Sequence, residues 1–383
     1  MKLAADWLDL PGTRAVMAAL TGAGHGAWFV GGCVRNALLD EPVSDIDITT
    51  DARPERVIGL AEAAGIKAVP TGVDHGTVTL VADHRPYEIT TLRRDVSTDG
   101  RRATIAFTDR LEEDAARRDF TMNALYADAE GLVLDPTGEG LADLAARRLR
   151  FIGAPEDRIH EDYLRILRFF RFHAWYADPE GGLDAEGLAA CAAGVDGLDR
   201  LSRERVGAEV KKLLAAPDPA PAVAAMARSG VLAHTLPGAD ARLLPVLVAL
   251  ESVPPDPIRR LAALGGEDVA DRLRLSRAEA SRLAILRGEM ATTTPPAALA
   301  YAQGAETARD VVLLRAALFE TPPDPASEAQ IAKGAAASFP VKPADLMPAL
   351  QGPALGAALK EMEARWIASG FTLTRAQLIA DHD

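Results

Sequence analysis

Cysteine is nearly absent from this chain of 383 residues, occurring only as Cys33 and Cys191. Two isolated cysteines exclude a disulfide framework and a cysteine-built zinc site, and both read as small buried residues. Aromatic residues make up 5% against 48% hydrophobic residues in total, with alanine and leucine abundant. That balance disfavours an aromatic-rich sheet protein and favours packed helices. No run of eighteen or so uncharged apolar residues occurs, so no segment reads as a membrane span. The opening Met-Lys-Leu-Ala-Ala-Asp-Trp-Leu-Asp-Leu acquires acids too early for a signal peptide, and a cytoplasmic location is expected. Positive charge is in deficit. A formal net charge of −13 argues against a general nucleic-acid binder, although the average hides a pattern. The cations are mostly arginines in clusters: Arg93-Arg94, Arg101-Arg102, Arg117-Arg118, Arg147-Arg148, and Arg165, Arg168 and Arg171 at helical spacing. A basic track on an acidic body fits this distribution.

The chain is long enough for two to three domains, and its most informative stretch is residues 28 to 50. These read as strand, glycine turn, short helix, polar turn and second strand. Asp45 and Asp47 stand two apart, so the alternation of a strand points both carboxylates to one face and Ile46 and Ile48 to the other. Paired carboxylates repel unless a cation lies between them, and hard oxygen ligands on a strand suit Mg²⁺, which takes one or two carboxylates and fills its shell with water and phosphate oxygens. Gly31 and Gly32 leave room for a triphosphate, the following helix offers free N–H groups, and Arg35 adds a planar donor. A lone Asp-x-Asp is usually a solvated strand end and a lone Gly-Gly only a turn. In this order and spacing they are far more specific.

The stretch resembles the nucleotidyltransferases of the polymerase-β superfamily, in particular the class II tRNA nucleotidyltransferase and bacterial poly(A) polymerase family. That family's pattern is Gly-Gly-x-Val-Arg-Asp-x-Leu-Leu followed by Asp-x-Asp. Asn36 departs from it, keeping the hydrogen-bonding shape of Asp and losing the charge. The resemblance implies that Asp45 and Asp47 bind the metal. Glu88, on a later strand, has the position of the family's third catalytic carboxylate before Ile-Thr-Thr-Leu-Arg. From the residue alone, an exposed edge-strand glutamate is an equal reading.

Elsewhere in the first part, residues 2 to 25 read as an amphipathic helix. Pro54 opens another, to about Ala64. Strands are expected at Ile66–Val69, Thr77–Ala82 and Tyr87–Leu92. Arg93 to Asp114 is polar and weakly patterned, and reads as a mobile loop. Its Asp99, Arg101 and Arg102 match the family's flexible loop. Arg117-Arg118-Asp119-Phe120-Thr121-Met122-Asn123-Ala124 resembles the family's Arg-Arg-Asp-Phe-Thr-x-Asn-Ala motif, which implies that Arg118, Asp119 and Asn123 hold ribose and triphosphate. Structurally the same stretch is a capped helix end. A looser match, Asp135 to Leu144, resembles the family's hinge, with Glu139 replacing a glycine.

Beyond Pro155 only helical periodicity remains. Glu161 to Phe172 puts Asp162, Arg165 and Arg168 on one helical stripe, which by spacing alone reads as an ion-pair ladder. It also resembles the family's Glu-Asp-x-x-Arg motif, and the chemistry agrees. Cytosine and adenine each present an amino donor beside a ring-nitrogen acceptor, matching a carboxylate beside a guanidinium. Uracil and guanine present the reverse. Leu201 to Leu214 resembles the family's Ser-x-Glu-Arg motif and reads as helix support.

The expected architecture is an α+β nucleotidyltransferase head with a small mixed sheet at 1–152, a helical neck with base recognition at 153–218, and an all-α body and tail at 219–383 that binds tRNA. The activity implied is template-independent addition of CCA to tRNA from CTP and ATP with Mg²⁺. Poly(A) polymerase and a specialised A-adding or CC-adding enzyme are the enzymatic alternatives. An RNA-binding protein on an inactive fold would predict loss of Asp45 or Asp47, and neither is lost. No membrane partner is expected, and the sequence leaves the oligomeric state open.

Overall fold

The computed structural model describes residues 1–98 and 103–380. Contacts divide the chain into two compact units, Met1–Pro237 and Gly238–Asp383.

The first unit carries the sheet. Its main strands are β1 (Ala27–Val30), β2 (Ile46–Thr50), β3 (Lys67–Gly72), β4 (Thr77–Ala82) and β5 (Arg85–Thr91), completed by the short β8 (Tyr126–Ala127) and β9 (Val133–Leu134). The order across the sheet is β3-β4-β5-β2-β1-β8-β9. β2 runs parallel to β5 while β1, β4 and β8 pair antiparallel with their neighbours, so the sheet is mixed. Ile46, Ile48, Val78, Leu80, Tyr87 and Ile89 are fully buried, the apolar half of the alternation that makes these segments strands. Thr49, Thr50 and Thr91 are buried as well, because each hydroxyl donates to a main-chain carbonyl, of Thr90, Gly26 and Ala52 respectively.

Helices α1 (Pro11–Thr21), α2 (Gly32–Leu38) and α3 (Pro54–Ala63) connect or cover the strands. The N-terminal helix is shorter than the pattern suggests. Pro11, which has no N–H to give, starts it, and ahead of it lie a 3₁₀ turn at Asp6–Asp9 and a bridge from Lys2 to Leu132. The polar stretch after β5 is also more ordered than its composition indicates. It folds back as a separate two-stranded ribbon, β6 (Arg93–Thr98) with β7 (Ala103–Phe107), before α4 (Leu111–Ala116). Asp99, Arg101 and Arg102 fall outside the described residues.

After α5 (Gly140–Ala145) the unit continues as α6 (Pro155–Glu161), α7 (Leu164–Tyr176), α8 (Ala185–Ala193) and α9 (Arg203–Leu214). Among the described residues no strand follows β9; two isolated bridges, Phe120 with Phe151 and Ala239 with Gly265, reach residues beyond it. α7 is fastened to the sheet-bearing part by aromatic rings. Phe120 lies 4.9 Å from Phe151 and 5.2 Å from Phe172, and Phe151 stacks on Phe169 at 5.4 Å. Buried Asp143 ties the hinge, accepting from Thr121 Oγ1 at 2.7 Å and from Arg150 Nε at 2.9 Å.

The second unit is helical. One core gathers Val341, Leu346, Met362, Trp366 and Leu378. Elsewhere in it three helices, Pro257–Leu264, Arg277–Glu289 and Ala305–Leu318, are joined by buried charges. Arg259 bridges Glu251 and Asp310, each at 2.8 Å, Arg260 meets Glu251 at 2.6 Å, and Arg282 reaches Asp256 at 2.8 Å and Asp310 at 2.5 Å. No helix among the described residues is long and apolar enough to cross a membrane.

Candidate active site

The glycine turn stands between β1 and α2. Gly31 has φ +70°, which strains any residue with a Cβ, and a Cβ there would come within 3.5 Å of Arg118 Nη1 and 3.7 Å of the Asn123 carbonyl. Gly32 opens the helix. Cys33 behind it is buried, and burial pushes its thiol up to about 11, so it is inert at neutral pH.

The carboxylates come from adjacent strands. Asp47 lies directly opposite Glu88 in the parallel pairing of β2 and β5, which puts both side chains on one face. Asp45 falls one residue before β2, its Oδ2 accepting from Ser44 Oγ at 3.0 Å. Asp47 is pushed up to about 6, first by burial, then by Glu88 and Asp45, with Arg118 opposing. The same donors form a hard-oxygen set whose mutual repulsion a divalent cation would relieve, so they fit one. Among the described residues no three His, Cys, Asp or Glu side chains converge as a ready-made cage.

On the other side of the turn a single chain of bonds joins the basic residues. Arg168 donates through Nε to Asp119 Oδ2 at 2.7 Å and again through Nη2. Asp119 Oδ1 accepts from Asn123 Nδ2 at 2.9 Å, and Asn123 Oδ1 accepts from Arg35 Nη1 at 2.5 Å. Arg35 also donates to Asn36 Oδ1 at 2.8 Å and to the Tyr176 hydroxyl at 2.8 Å, while its guanidinium sits 3.9 Å over the Tyr176 ring. Asn36 in turn donates from Nδ2 to the Pro42 carbonyl at 2.8 Å, a bond an ionised Asp would not make. Arg35 is only 6% exposed and holds neutral partners, with burial depressing its pKa. A buried cation so placed is matched by an anion such as phosphate. Asp119 behaves oppositely. Burial alone would raise it, but Arg168 and the Asn123 amide hold it down at about 2.

The structure thus brings Gly31, Gly32, Arg35, Asp45, Asp47, Glu88, Arg118, Asp119, Asn123 and Arg168 into one region. Asp162 and Arg165 are joined through the main chain, Arg165 N–H donating to the Asp162 carbonyl at 2.9 Å, but their side chains hold different partners. Asp162 is not on the helix that carries Arg165 and Arg168; it occupies an extended break between α6 and α7, with φ −153°. There its Oδ1 accepts from Leu164 N at 3.1 Å, a local bond that favours Asp at helix starts over helix interiors. Its Oδ2 accepts from Arg205 Nη2 at 2.7 Å. Arg165 donates from Nη1 to Glu161 at 2.5 Å and the Arg158 carbonyl at 2.9 Å, and from Nη2 to the Arg117 carbonyl at 2.8 Å.

Sequence reasoning missed Asp114, Tyr126, Tyr176 and the reach of Arg205. Only Asp114 left a trace, four residues before Arg118 on a helix face.

Known proteins match these features. Residues 27–150 match the family model described as the poly A polymerase head domain, and residues 183–243 match one described as a probable RNA and SrmB-binding site of polymerase A. The chain is 42% identical to the CCA-adding enzyme of Streptococcus gordonii over 204 residues, 53% of this chain and 49% of that one. It is 41% identical to the mitochondrial CCA tRNA nucleotidyltransferase 1 of Mus musculus over 191 residues, 50% of this chain and 44% of that one. The match thus spans about half the length of these curated relatives. The crystal structure of the Bacillus stearothermophilus CCA-adding enzyme in complex with CTP superposes with a TM-score of 0.79 at 29% identity, covering 94% of this chain and 92% of that one. Fold and sequence together mark a nucleotidyltransferase fold. The chain belongs to the class II tRNA nucleotidyltransferase and bacterial poly(A) polymerase family, whose members are metal-dependent.

Proposed function

We propose that this chain adds CCA to the 3′ end of tRNA, one nucleotide at a time, from CTP and ATP, without a nucleic-acid template and with release of pyrophosphate. The observation that carries the reading is the juxtaposition of Asp47 and Glu88 across β2 and β5 with the Gly31 turn and the Arg118 guanidinium.

The RNA 3′-hydroxyl attacks the α-phosphate, a new bond forms from its oxygen to phosphorus, and the bond to the pyrophosphate oxygen breaks in line. Asp45 and Asp47 would hold Mg²⁺, which when bound would supply the charge that activates the hydroxyl and offsets the leaving pyrophosphate. Glu88 adds a third carboxylate to that face. Arg35 and Arg118 bind phosphate oxygens, and Gly31 and Gly32 let those oxygens approach the main chain. Asp119 and Asn123, fixed by Arg168 and Arg35, take the ribose. No side chain forms a covalent intermediate; the residues position and stabilise charge.

Asp162 and Arg165 read the base. An ionised carboxylate offers about four acceptor sites, and the bonds to Leu164 and Arg205 use two of those of Asp162. The remainder suits the amino group shared by cytosine and adenine. In this reading residues 1–152 do the chemistry, 153–218 choose the base, and 219–383 hold the tRNA, with Asp99, Arg101 and Arg102 in the loop that adjusts the choice.

The test uses purified protein with tRNA lacking CCA, tRNA ending in C-C, and an unstructured RNA, each with single labelled nucleotides. Ordered addition of two C and one A to tRNA is expected. A long A tract on the unstructured RNA would instead make it a poly(A) polymerase. Asp45→Ala and Asp47→Ala should each abolish C and A addition alike; near-normal turnover in either would refute the metal assignment.

A further inference from the structure

Asp114 lies on α4, outside every motif discussed above, and is wholly buried. Its Oδ2 accepts from Arg118 Nε at 3.2 Å and Nη2 at 3.0 Å, and from the Tyr126 hydroxyl at 2.8 Å. The Tyr126 oxygen accepts in turn from Arg118 Nε at 3.1 Å, which closes a small ring of bonds. The other carboxylate oxygen takes Arg117 Nε at 3.0 Å and, more weakly, the Arg93 main-chain N–H at 3.4 Å.

Two of the three Arg118 nitrogens are therefore held from behind. The third, Nη1, is the one that faces Gly31. Tyr126 is itself paired with Val30, the last residue before that glycine, so clamp and turn share one piece of sheet. An i,i+4 ion pair on a helix surface contributes little. One whose carboxylate is fully buried, with a phenol in the ring, fixes a guanidinium to a single orientation.

We propose that Asp114, seconded by Tyr126, is a positioning residue for nucleotidyl transfer: it holds Arg118 so that Nη1 is aimed at the phosphates over the Gly31 turn. This rests on the reading of Arg118 as a phosphate ligand. A residue that merely closed α4 would affect stability, and would not discriminate between the phosphate and the nucleoside of the substrate.

That difference is the test. Asp114→Asn, Tyr126→Phe and Arg118→Ala are compared with wild type in Mg²⁺ for inhibition by inorganic pyrophosphate and by cytidine, and for KM and kcat with CTP. Loss of a charge-assisted clamp should weaken pyrophosphate binding about tenfold or more in Asp114→Asn, and loss of the hydroxyl a few-fold in Tyr126→Phe, roughly the spread of charged and neutral hydrogen bonds. Cytidine inhibition should stay unchanged, KM for CTP should rise more than kcat falls, and neither change should add to Arg118→Ala. Wild-type pyrophosphate affinity in the clamp variants, beside a weakened Arg118→Ala, overturns the proposal and leaves the functional reading standing. So does equal loss of pyrophosphate and cytidine affinity. If Asp114→Asn does not fold, by circular dichroism and melting, Tyr126→Phe decides alone: wild-type pyrophosphate affinity there overturns the proposal. Failure of wild type to extend any RNA or to bind pyrophosphate overturns the functional reading itself.

Discussion

Replacing Asp119 with asparagine keeps the size of the side chain and removes its charge. Asp119 is 7% exposed, receives two bonds from Arg168, and ionises at about 2 in the fold. Its carboxyl in the unfolded chain ionises at about 3.9, so the ionised form contributes roughly 2–3 kcal/mol at neutral pH. The folded pKa is the lower one, so this stability is present above the unfolded value and is lost as pH falls through the folded value. The deficit of Asp119→Asn should hold at about 2–3 kcal/mol from pH 7 down to about 5, shrink below about 4, and be nearly gone by about 2. Urea unfolding followed by tryptophan fluorescence measures it, since Trp7, Trp28 and Trp175 all lie in this unit. With a denaturant slope of roughly 3 kcal/mol/M, the midpoint at pH 7 should move down by about 0.8 M. A deficit of the same size at pH 7 and pH 3 would show that the variant acts through packing, and the ion-pair argument would fail.

Alanine at both Asp162 and Arg165 removes charged hydrogen bonds worth about 1.5–3 kcal/mol each, and single-nucleotide assays should show misincorporation of UTP or GTP along with slower correct addition. A variant that is slow yet fully selective leaves these residues as structural ion pairs. Deleting Ser97 to Arg102 should spare C addition and impair A addition, and equal loss of both would make the segment a general structural element. In the second unit, Glu251→Gln leaves Arg259 and Arg260 without a charge they both use, and should cost about 3–5 kcal/mol. Calorimetry should place that loss in the transition of Gly238–Asp383, and a shift under about 1 kcal/mol would mean the network is better solvated than its burial implies.

What the sequence reveals of the site depends on the range of each contact. Asp47 and Gly31 sit where strand alternation and turn chemistry, which act over a few residues, place them, while Asp45 falls just ahead of the strand expected to carry it. Glu88 is ambiguous from its own neighbours; it is the register of β2 on β5 that sets it opposite Asp47. The partners of the arginines are the hardest to read. Spacing offers Arg165 to Asp162, but the chain breaks at Asp162 and the carboxylate meets Arg205, 43 residues away. Tyr176 lies 141 residues from the Arg35 it covers, beyond any local pattern. The β6–β7 ribbon escaped for a different reason: its polar sequence carries no alternation, and its pairing is set by the chain folding back on itself.

The bond between Arg35 and Tyr176 has a consequence for the order in which this molecule is made. Chains leave the ribosome from the N-terminus, and the strands bearing Asp47 and Glu88 are complete by Thr91. Asp119 and its partner Arg168 are not yet made at that moment, and Arg35 lacks the ring that covers it. On the proposed reading, a nascent chain released at about residue 150 would hold the acidic half of the site beside a basic half that lacks the supports of Arg168 and Tyr176. If those supports matter as proposed, nucleotide capture by stalled chains of increasing length should strengthen as Tyr176 clears the exit tunnel.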